Sequence, residues 1–550
     1  MADHNERDYF QRRLGSLKKE RSSFITHWKE LSEFIQPRRG RFSTSDRNKG
    51  DRRHSSIINS KATQALRIAR AGMLAGTMSP SRPWFALETI DPDMMEFQPV
   101  KIWLRQQEKL LRAIFNQSNL YNMAPTFISE LLLFGTAAMS HVDDFDDVAR
   151  FYTHTAGSYF IAQNDRFTVD TLVREFEMST YQLVKQFKLN NVSRTIRNAY
   201  DKGNYDNWYP VVHFIEPNPD RSDSPNARNK PFRSVYYEPG NVNKDRFLRK
   251  SGFDEFPAYV ARWDVTGEDV YGTDCPGMTS LGDVKGLQVE EKRKAQGIDK
   301  MVNPPLKGPA SMKNVPVSSL PGGLTIYDGD KTRESLSPIY MVNPQLQELV
   351  ADIERVERRI DTAFFVDMFL AISNMEGIQP RNQLDLSQRN EERLLQLGPV
   401  LERIHGEFLD KLIDRTFAQS IRAGIVAEAP QEIQGQELQV KFISTLAMAQ
   451  KAVDVQGIER VAGYVGGLIE AGFQEVGDKF DADQSVDEYA TAIGVPPRVI
   501  VSDDVVEEIR DERKKQQQIQ QAIELTQGVA SAAKDLQGSG DSDISGDTSG

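Results

Sequence analysis

The stretch that most restricts this 550-residue chain runs from Leu281 to Asn374 and reads as helix, Pro/Gly-rich loop, helix. Its first arm, Gly282 to Val302, carries the charged run Glu290, Glu291, Lys292, Arg293, Lys294 and stops at Asn303-Pro304-Pro305, where a helix cannot continue. Between Pro304 and Pro344 stand Pro309, Pro316, Pro321, Gly322, Gly323 and Pro338, which predict turns and short strands. The second arm opens after Pro344 and reaches about Ser373. In it Leu346, Leu349, Ile353, Val356, Ile360, Phe364, Met368 and Ile372 recur every three or four positions, so they share one face of an α-helix. The spacing predicts one helix of about 29 residues, roughly 43 Å long at about 1.5 Å per residue. Asp352, Glu354, Arg355, Glu357, Arg358 and Arg359 occupy its other face. Such a rod needs neighbours along its whole length. Two arrangements supply them: a hairpin in the core of a large domain, or a stem that each subunit contributes to a ring.

The length calls for about three or four regions rather than one core. Hydrophobic content of 39% and charged content of 27% are those of an ordinary globular protein. Leu131-Leu-Leu-Phe134 is among the longest apolar runs, far below the roughly 18 residues of a membrane span, so no membrane partner is expected. The N-terminus is polar, and no secretion is expected. Cys275 is the only cysteine, which excludes an intramolecular disulfide and a cysteine-cluster metal site. Charge is uneven: residues 1–70 hold 17 Lys/Arg against 8 Asp/Glu, and residues 501–550 hold 5 against 11. A basic head and an acidic tail on a chain of net charge −11 argue against nucleic acid wrapped over the whole surface and leave a local anionic partner for the head open.

Taken in order, residues 7–36 look helical, and Pro37 ends them. A basic loop follows, with Arg38, Arg39, Arg41, Arg47, Lys49, Arg52 and Arg53. It could contact phosphate, but Phe42 is its one aromatic residue, so a solvated loop or a subunit contact is the plainer account. A second helix is expected from Ile57 to about Met78, with Ala69, Ala71, Gly72, Ala75 and Gly76 favouring close packing, and Trp84 to Leu87 begins a strand. Ile102 to Phe115 is amphipathic. Another helix is framed by Pro125 near its start and Gly135 at its end. Strands then dominate: a hairpin of Ala137–Val142 and Ala149–Thr155, then Tyr159–Ala162, Thr168–Glu175, Val211–Glu216, Ser234–Glu238 and Ala258–Asp264, interrupted by a helix from about Ser179 to Phe187. Beyond the hairpin arms come a polar segment from Met375 to Asp385 and a helical stretch from Ser387 to Ala423, kinked or restarted at Gly398-Pro399. Gln439 to Ile443 reads as a strand. Thr445–Gly472 and Val486–Gly494 read as helices, and Ser502-Asp503-Asp504 would cap a last one. The fold class is α+β, mainly helical, without regular βαβ alternation.

Catalytic constellations are scarce. There is no Gly-Lys dipeptide, hence no phosphate-cradling loop of the common NTPases, and neither GxSxG nor HExxH occurs. No two of the seven histidines stand at metal-ligand spacing. His141 with Asp143, Asp144, Asp146 and Asp147 is the best oxygen-rich cluster, yet neighbouring strand residues point to opposite faces and hairpin carboxylates are usually solvated. No catalytic residue, metal or cofactor is assigned, and an enzyme is not expected.

An ordered series of segments over about 450 residues resembles the portal, or head-to-tail connecting, proteins of podovirus-type tailed bacteriophages. The segments are Asn59-Ser-Lys-Ala-Thr63, Ala71-Gly-Met-Leu-Ala-Gly76, Ser79-Pro-Ser-Arg-Pro-Trp-Phe85, Tyr271-Gly-Thr-Asp-Cys-Pro-Gly277, Leu281-Gly-Asp-Val-Lys285 and Val302-Asn-Pro-Pro-Leu306. Most specific is Leu397-Gly-Pro-Val-Leu-Glu-Arg403, continued by Glu407 to Arg415, Ile443-Ser-Thr-Leu-Ala447 and Ala449-Gln450. One departure is visible, since Leu386-Ser-Gln-Arg-Asn-Glu391 stands where the family often has a Thr-Ala-Thr-Glu-like segment.

The resemblance implies a ring, usually of twelve subunits, at one capsid vertex of the virion, made in the host bacterial cytoplasm. Such rings nucleate head assembly with major capsid and scaffolding proteins, dock the terminase large subunit, pass double-stranded DNA without sequence preference, and later hold the tail adaptor. Carried onto this chain, the portal-type fold would comprise a wing over residues 1–280, a first stem helix over 281–303, a clip over 304–344 and a second stem helix over 345–373. A tunnel loop over 374–386, a wing helix over 387–430, a helical crown over 431–536 and a disordered acidic tail over 537–550 would complete it. The second arm would then be buried between neighbours, its apolar stripe an interface rather than a monomer core. Glu290, Lys294, Glu354 and Arg358 would face the channel or form intersubunit ion pairs, and Met375, Arg381 and Asn382 would touch DNA from the loop. Another head–tail component, an adaptor or internal head protein, is the alternative.

Overall fold

The computed structural model describes residues 6–46, 50, 53–91, 94, 97–144, 146–221, 226–241, 246–302, 306–307, 337–338, 346–374, 396–435, 438–493, 501, 506 and 509–516. Most of the clip expected over 304–344, all of 375–395 and the tail 517–550 therefore lie outside the described residues, as do Met375, Arg381, Asn382 and Arg52. The structure mixes helices and strands. Two compact units are distinguished, one of residues 1–90 and 99–450, the other of residues 91–98 and 451–550.

In the first unit, α1 (Glu6–Phe34) lies against a five-stranded antiparallel sheet in the order β4-β5-β6-β7-β8. The strands are β4 (Tyr159–Gln163), β5 (Val169–Ser179), β6 (Trp208–Pro217), β7 (Phe232–Tyr237) and β8 (Arg249–Phe253). Phe10, Leu14 and Leu17 of α1 join Phe160, Val173, Phe214 and Val235 in one buried cluster, because alternate strand residues share a sheet face. The other face is partly covered by α5 (Thr180–Phe187) and α6 (Arg194–Asp201), whose Leu183, Phe187 and Ile196 meet Met178 and Val211. Ser179 and Gln182 start α5 with a reciprocal capping box. The helix α6 and the strand β8 were not anticipated from the sequence; both are short, and polar residues separate their few apolar ones.

A second sheet has the order β3-β2-β9, with β2 (Thr136–Asp144) paired antiparallel to β3 (Val148–His154) and β9 (Ala258–Arg262). The expected hairpin is thus present. Before it, α3 (Gln98–Gln117) is followed by α4 (Leu120–Phe134), which ends at Gly135 with φ 73°. Pro125 lies within α4 rather than at its first position, since the helix begins at Leu120. A Cβ on Gly272 would stand 2.0 Å from the Gly135 carbonyl oxygen, so bare backbone is what lets these two segments meet. The helix α2 (Lys61–Thr77) starts later than expected, after an Asx turn in which the Lys61 amide donates to Asn59 Oδ1 at 2.9 Å. Far apart in sequence, β1 (Phe85–Thr89) pairs antiparallel with β12 (Leu438–Phe442).

The long arms depart from expectation in two ways. First, α7 (Pro276–Val302) is continuous, but the second arm is two helices, α8 (Leu346–Ala363) and α9 (Val366–Asn374). Between them Phe365 has φ 54°, a left-handed conformation that costs a side-chain-bearing residue roughly 1–2 kcal/mol. Its ring sits 6.5 Å from that of Trp263, so tertiary packing holds the break. Secondly, Ile353, Val356, Ile360, Phe364 and Met368 are all buried within the single chain. The apolar stripe is therefore a monomer core against α7 and α2, not a surface kept for a neighbour.

Short strands β10 (Leu306–Lys307) and β11 (Ser337–Pro338) pair antiparallel, bringing together the chain that leaves α7 and the chain that returns to α8. The helical stretch expected from Ser387 to Ala423 is described from residue 396 as α10 (396–404), a π turn at His405–Leu409, and α11 (Asp410–Arg422). Gly398-Pro399 falls in the first described turn, where the missing proline amide is harmless, and the irregularity inside the helix is the π turn instead. The helices α12 (Thr445–Glu470) and α13 (Ala482–Ile493) follow.

Candidate functional site

The hairpin of α7 and α8 is held at its base by residues just before α2. Gln288, buried on α7, accepts from the amides of Ile58 and Asn59 at 2.6 and 2.8 Å and returns a bond to the Asn59 carbonyl at 3.0 Å. The Asn59 side-chain amide then donates to Glu291 on α7 at 3.2 Å and to Glu357 on α8 at 2.9 Å. One asparagine thus spans both arms. Beside it, Lys61 pairs with Asp361 at 2.5 Å, and Arg359 of α8 reaches Asp283 of α7 at 2.9 Å. Such partly buried polar clasps fix register, because breaking one leaves a desolvated carboxylate or amide without its partner.

The four stem residues singled out from the sequence separate into two settings. Glu354 and Arg358 form an i,i+4 pair at 4.0 Å on the open side of α8, their side chains 63% and 72% exposed. Lys294 instead folds onto Glu291 at 2.6 Å. Glu290 has a carboxylate oxygen buried without a hydrogen bond. Its pKa is raised, first by desolvation and then by the charge of Asp352, with Arg359 and Arg293 acting the other way. Glu290 therefore faces the seam between the arms, whereas Lys294 pairs within α7. Asn59, Gln288 and Glu357 were not anticipated as members of this site. The available signal was Asn59 itself, a capping-type residue two positions before α2.

Val289, level with the Asn59 clasp, is exposed, as are Ile298, Met301 and Val302 farther along α7 and Val350 on α8. These apolar residues have no cover within the described chain.

The basic loop is tied down rather than free. Arg39 approaches the buried carboxylate of Glu130 at 4.0 Å and donates to Thr126 Oγ1 at 3.3 Å. Arg53 pairs with Asp46 at 2.5 Å. The Gly40 amide donates to Thr155 Oγ1 at 2.8 Å and the Arg41 amide to the Ala156 carbonyl at 2.8 Å, so the loop rests on the turn after β3. Arg38 and Arg41 are exposed.

The acidic hairpin residues go to separate partners. Asp143 accepts from Gln419 and Arg415 of α11, whereas Asp144 accepts from the amides of Asp146 and Asp147 in its own turn. His141 is buried and hydrogen-bonded to the Tyr259 hydroxyl, and desolvation holds its pKa well below that of a free imidazole. Among the described residues no group of three or more His, Cys, Asp or Glu is placed to hold a metal, and no helix is long and apolar enough to cross a membrane.

Comparison with known proteins gives the family of the chain. A family profile described as bacteriophage head to tail connecting protein matches residues 7–501. The portal protein of Salmonella phage epsilon15 is 44% identical over 533 residues, covering 96% of this chain and 95% of that protein. A probable portal protein of Bordetella phage BPP-1 is 43% identical over 538 residues, covering 97% and 96%. The neck of an empty gene transfer agent particle is 13% identical and covers 84% of this chain and 96% of that one; its TM-score of 0.36 is too low to bear on the fold. With a profile match along most of its length and two relatives at this identity, the chain belongs to the bacteriophage head to tail connecting proteins.

Proposed function

We propose that the chain works as a portal: copies assemble into a closed ring, twelve in number, at one vertex of the capsid, and the ring conducts double-stranded DNA into and out of the head. In this arrangement α7 and α8 form the stem, residues 304–344 the clip that receives the terminase large subunit and later the tail adaptor, and 374–386 the tunnel loop. Residues 1–280 and 387–430 make the wing and 431–536 the crown, against which capsid and scaffolding proteins assemble, with 537–550 as the acidic tail. The ring is a conduit and docking surface and catalyses no reaction.

The observation that carries this proposal is how the hairpin divides its faces. Its apolar stripe is used inside the chain, yet Val289, Ile298, Met301, Val302 and Val350 remain exposed along the hairpin. A neighbouring hairpin would cover them. The exposed charges of α8 alternate in sign, with Asp352 and Arg355 at 3.8 Å and Glu354 and Arg358 at 4.0 Å. Such mixed charge suits a wall that DNA must slide past, since each uncompensated cation would add counterion-release affinity. Met375, Arg381 and Asn382 would contribute the loop contacts, and the exposed Arg38 and Arg41, with Arg39, Arg52 and Arg53, a surface toward the next subunit.

Electron microscopy of the purified full-length protein tests this directly. Class averages should show closed rings with a central hole. The double variant Ile298→Glu, Val302→Glu should shift the population to smaller species while far-ultraviolet circular dichroism keeps its wild-type shape. A compact monomer at every concentration, or an open filament, would overturn the ring.

A further inference from the structure

The two faces of the five-stranded sheet treat charge differently. Under α1 the charges are paired: Lys18 meets Glu175 at 2.7 Å, and Arg233 meets Glu216 at 2.5 Å. On the opposite face the strand register sets Arg174 across from His213, His213 across from Tyr236, and Tyr236 across from Arg249. These four side chains form one row over β5, β6, β7 and β8. The rings of His213 and Tyr236 stack 3.7 Å apart at 9°, and the Arg249 guanidinium lies 4.8 Å from the Tyr236 centroid. Arg174 lies 4.6 Å from the ring of Phe176, two residues along its own strand.

Arg174 makes no hydrogen bond or ion pair with any described residue, and its Nε is buried without an acceptor. Burial, aided by the nearby charge of Arg41 and opposed by Tyr236, lowers its pKa to about 10. The charges that act on His213 are those of Arg174 and Arg249, and no carboxylate is among them. A half-buried guanidinium close to a second one, Arg41, with no carboxylate among the charges that act on it, is costly unless something else supplies the negative charge.

We propose that this row holds an oxyanion-binding site, in which the Arg174 guanidinium, backed by Phe176 and with Arg41 nearby, takes a phosphoryl or carboxylate group. The planar fork of arginine matches two oxygens of either group. Because the Arg174 side chain is half-buried and its Nε has no exposed surface, the group is taken as free or carried on a short flexible arm, as in inorganic phosphate or an acidic side chain. The site does not rest on the ring proposed above, although Arg41 is shared with the surface assigned there to the next subunit, so its test is read on Arg174.

Arginine-specific labelling with phenylglyoxal, read by peptide mass spectrometry on the full-length protein, tests it. Inorganic phosphate and succinate serve as separate probes at ionic strength held constant with chloride. At ten times the dissociation constant, the Arg174 labelling rate should fall about tenfold by mass action, while exposed Arg12 is unchanged. Protection by phosphate alone assigns a phosphoryl ligand, protection by succinate alone a carboxylate, and either outcome supports the site. In Arg174→Met, which keeps the packing on Phe176, the melting temperature in chloride should hold or rise, and the extra stabilisation given by phosphate should vanish. Unchanged Arg174 labelling in both saturating probes would overturn the site, as would equal stabilisation of variant and wild type by phosphate.

Discussion

Glu130 shows how much one side chain can decide in this fold. It has no exposed surface; Thr155 Oγ1 and the Ala156 amide donate to it at 2.7 and 2.9 Å, and Arg39 stands 4.0 Å away. Burial outweighs these partners and lifts its pKa from 4.5 to about 7. A carboxyl that holds its proton more tightly when folded contributes stability that is complete below the unfolded value. That stability is lost as pH rises through the folded value. Melting temperature should therefore fall between pH 5 and pH 7.5, with a contribution from Glu130 on the order of 3 kcal/mol. In Glu130→Gln the slope should flatten, although stability at pH 5 drops by about 1–2 kcal/mol because an NH2 group replaces one of the two oxygens that accept from Thr155 and the Ala156 amide. Melts at three pH values by circular dichroism measure both effects; an unaltered slope would assign the pH dependence to other groups. The sequence drew attention to the arginines of the basic loop but not to the carboxylate that Arg39 approaches. Glu130 sits inside the apolar run from Phe127 to Phe134, where periodicity marks only a buried helix, and its partnership with a residue some ninety positions earlier leaves no local trace.

Among the elements, the second arm teaches where periodicity stops being informative. Ile360, Phe364 and Met368 keep the same spacing across the break at Phe365, so a stripe read from sequence continues in phase while the backbone does not. Nor can a stripe say which surface covers it. The small residues of α2 were more telling, because close packing is a property of the residue type itself. A Cβ on Gly72 would lie 2.3 Å from the Cβ of Phe369 on α9. Gly72→Ala should therefore push α2 and α9 apart and destabilise by roughly 1–3 kcal/mol. Gly282 in α7 has nothing within 4 Å of an added Cβ, and Gly282→Ala should instead stabilise by about 0.5–1 kcal/mol through helix propensity. Thermal melts of the two variants side by side separate crowding from propensity, and a neutral Gly72→Ala would mean that α9 can shift without cost.

For the whole molecule, the strand β12 matters most, since it returns to pair with β1 from more than 340 positions away and joins residues 438–442 to the first compact unit. Composition and spacing could identify a short strand there but not its partner. The family resemblance supplied the larger arrangement that local pattern could not. Just past β12, Leu446 is buried near Gly76 of α2, so the opening turn of α12 also closes the first unit. A chain ended after Gly472 keeps α12 whole and removes α13 and the acidic terminal stretch. If stem hairpins carry assembly, this truncated chain should melt within a few degrees of the full-length protein and still form rings of the same diameter by electron microscopy. Because the core clusters under α1 and α5 are complete without residues 473–550, loss of rings with an unchanged melting temperature would be an assembly defect rather than a folding one. The C-terminal unit would then be the part that closes the ring, and the exposed residues of α7 and α8 would need another partner.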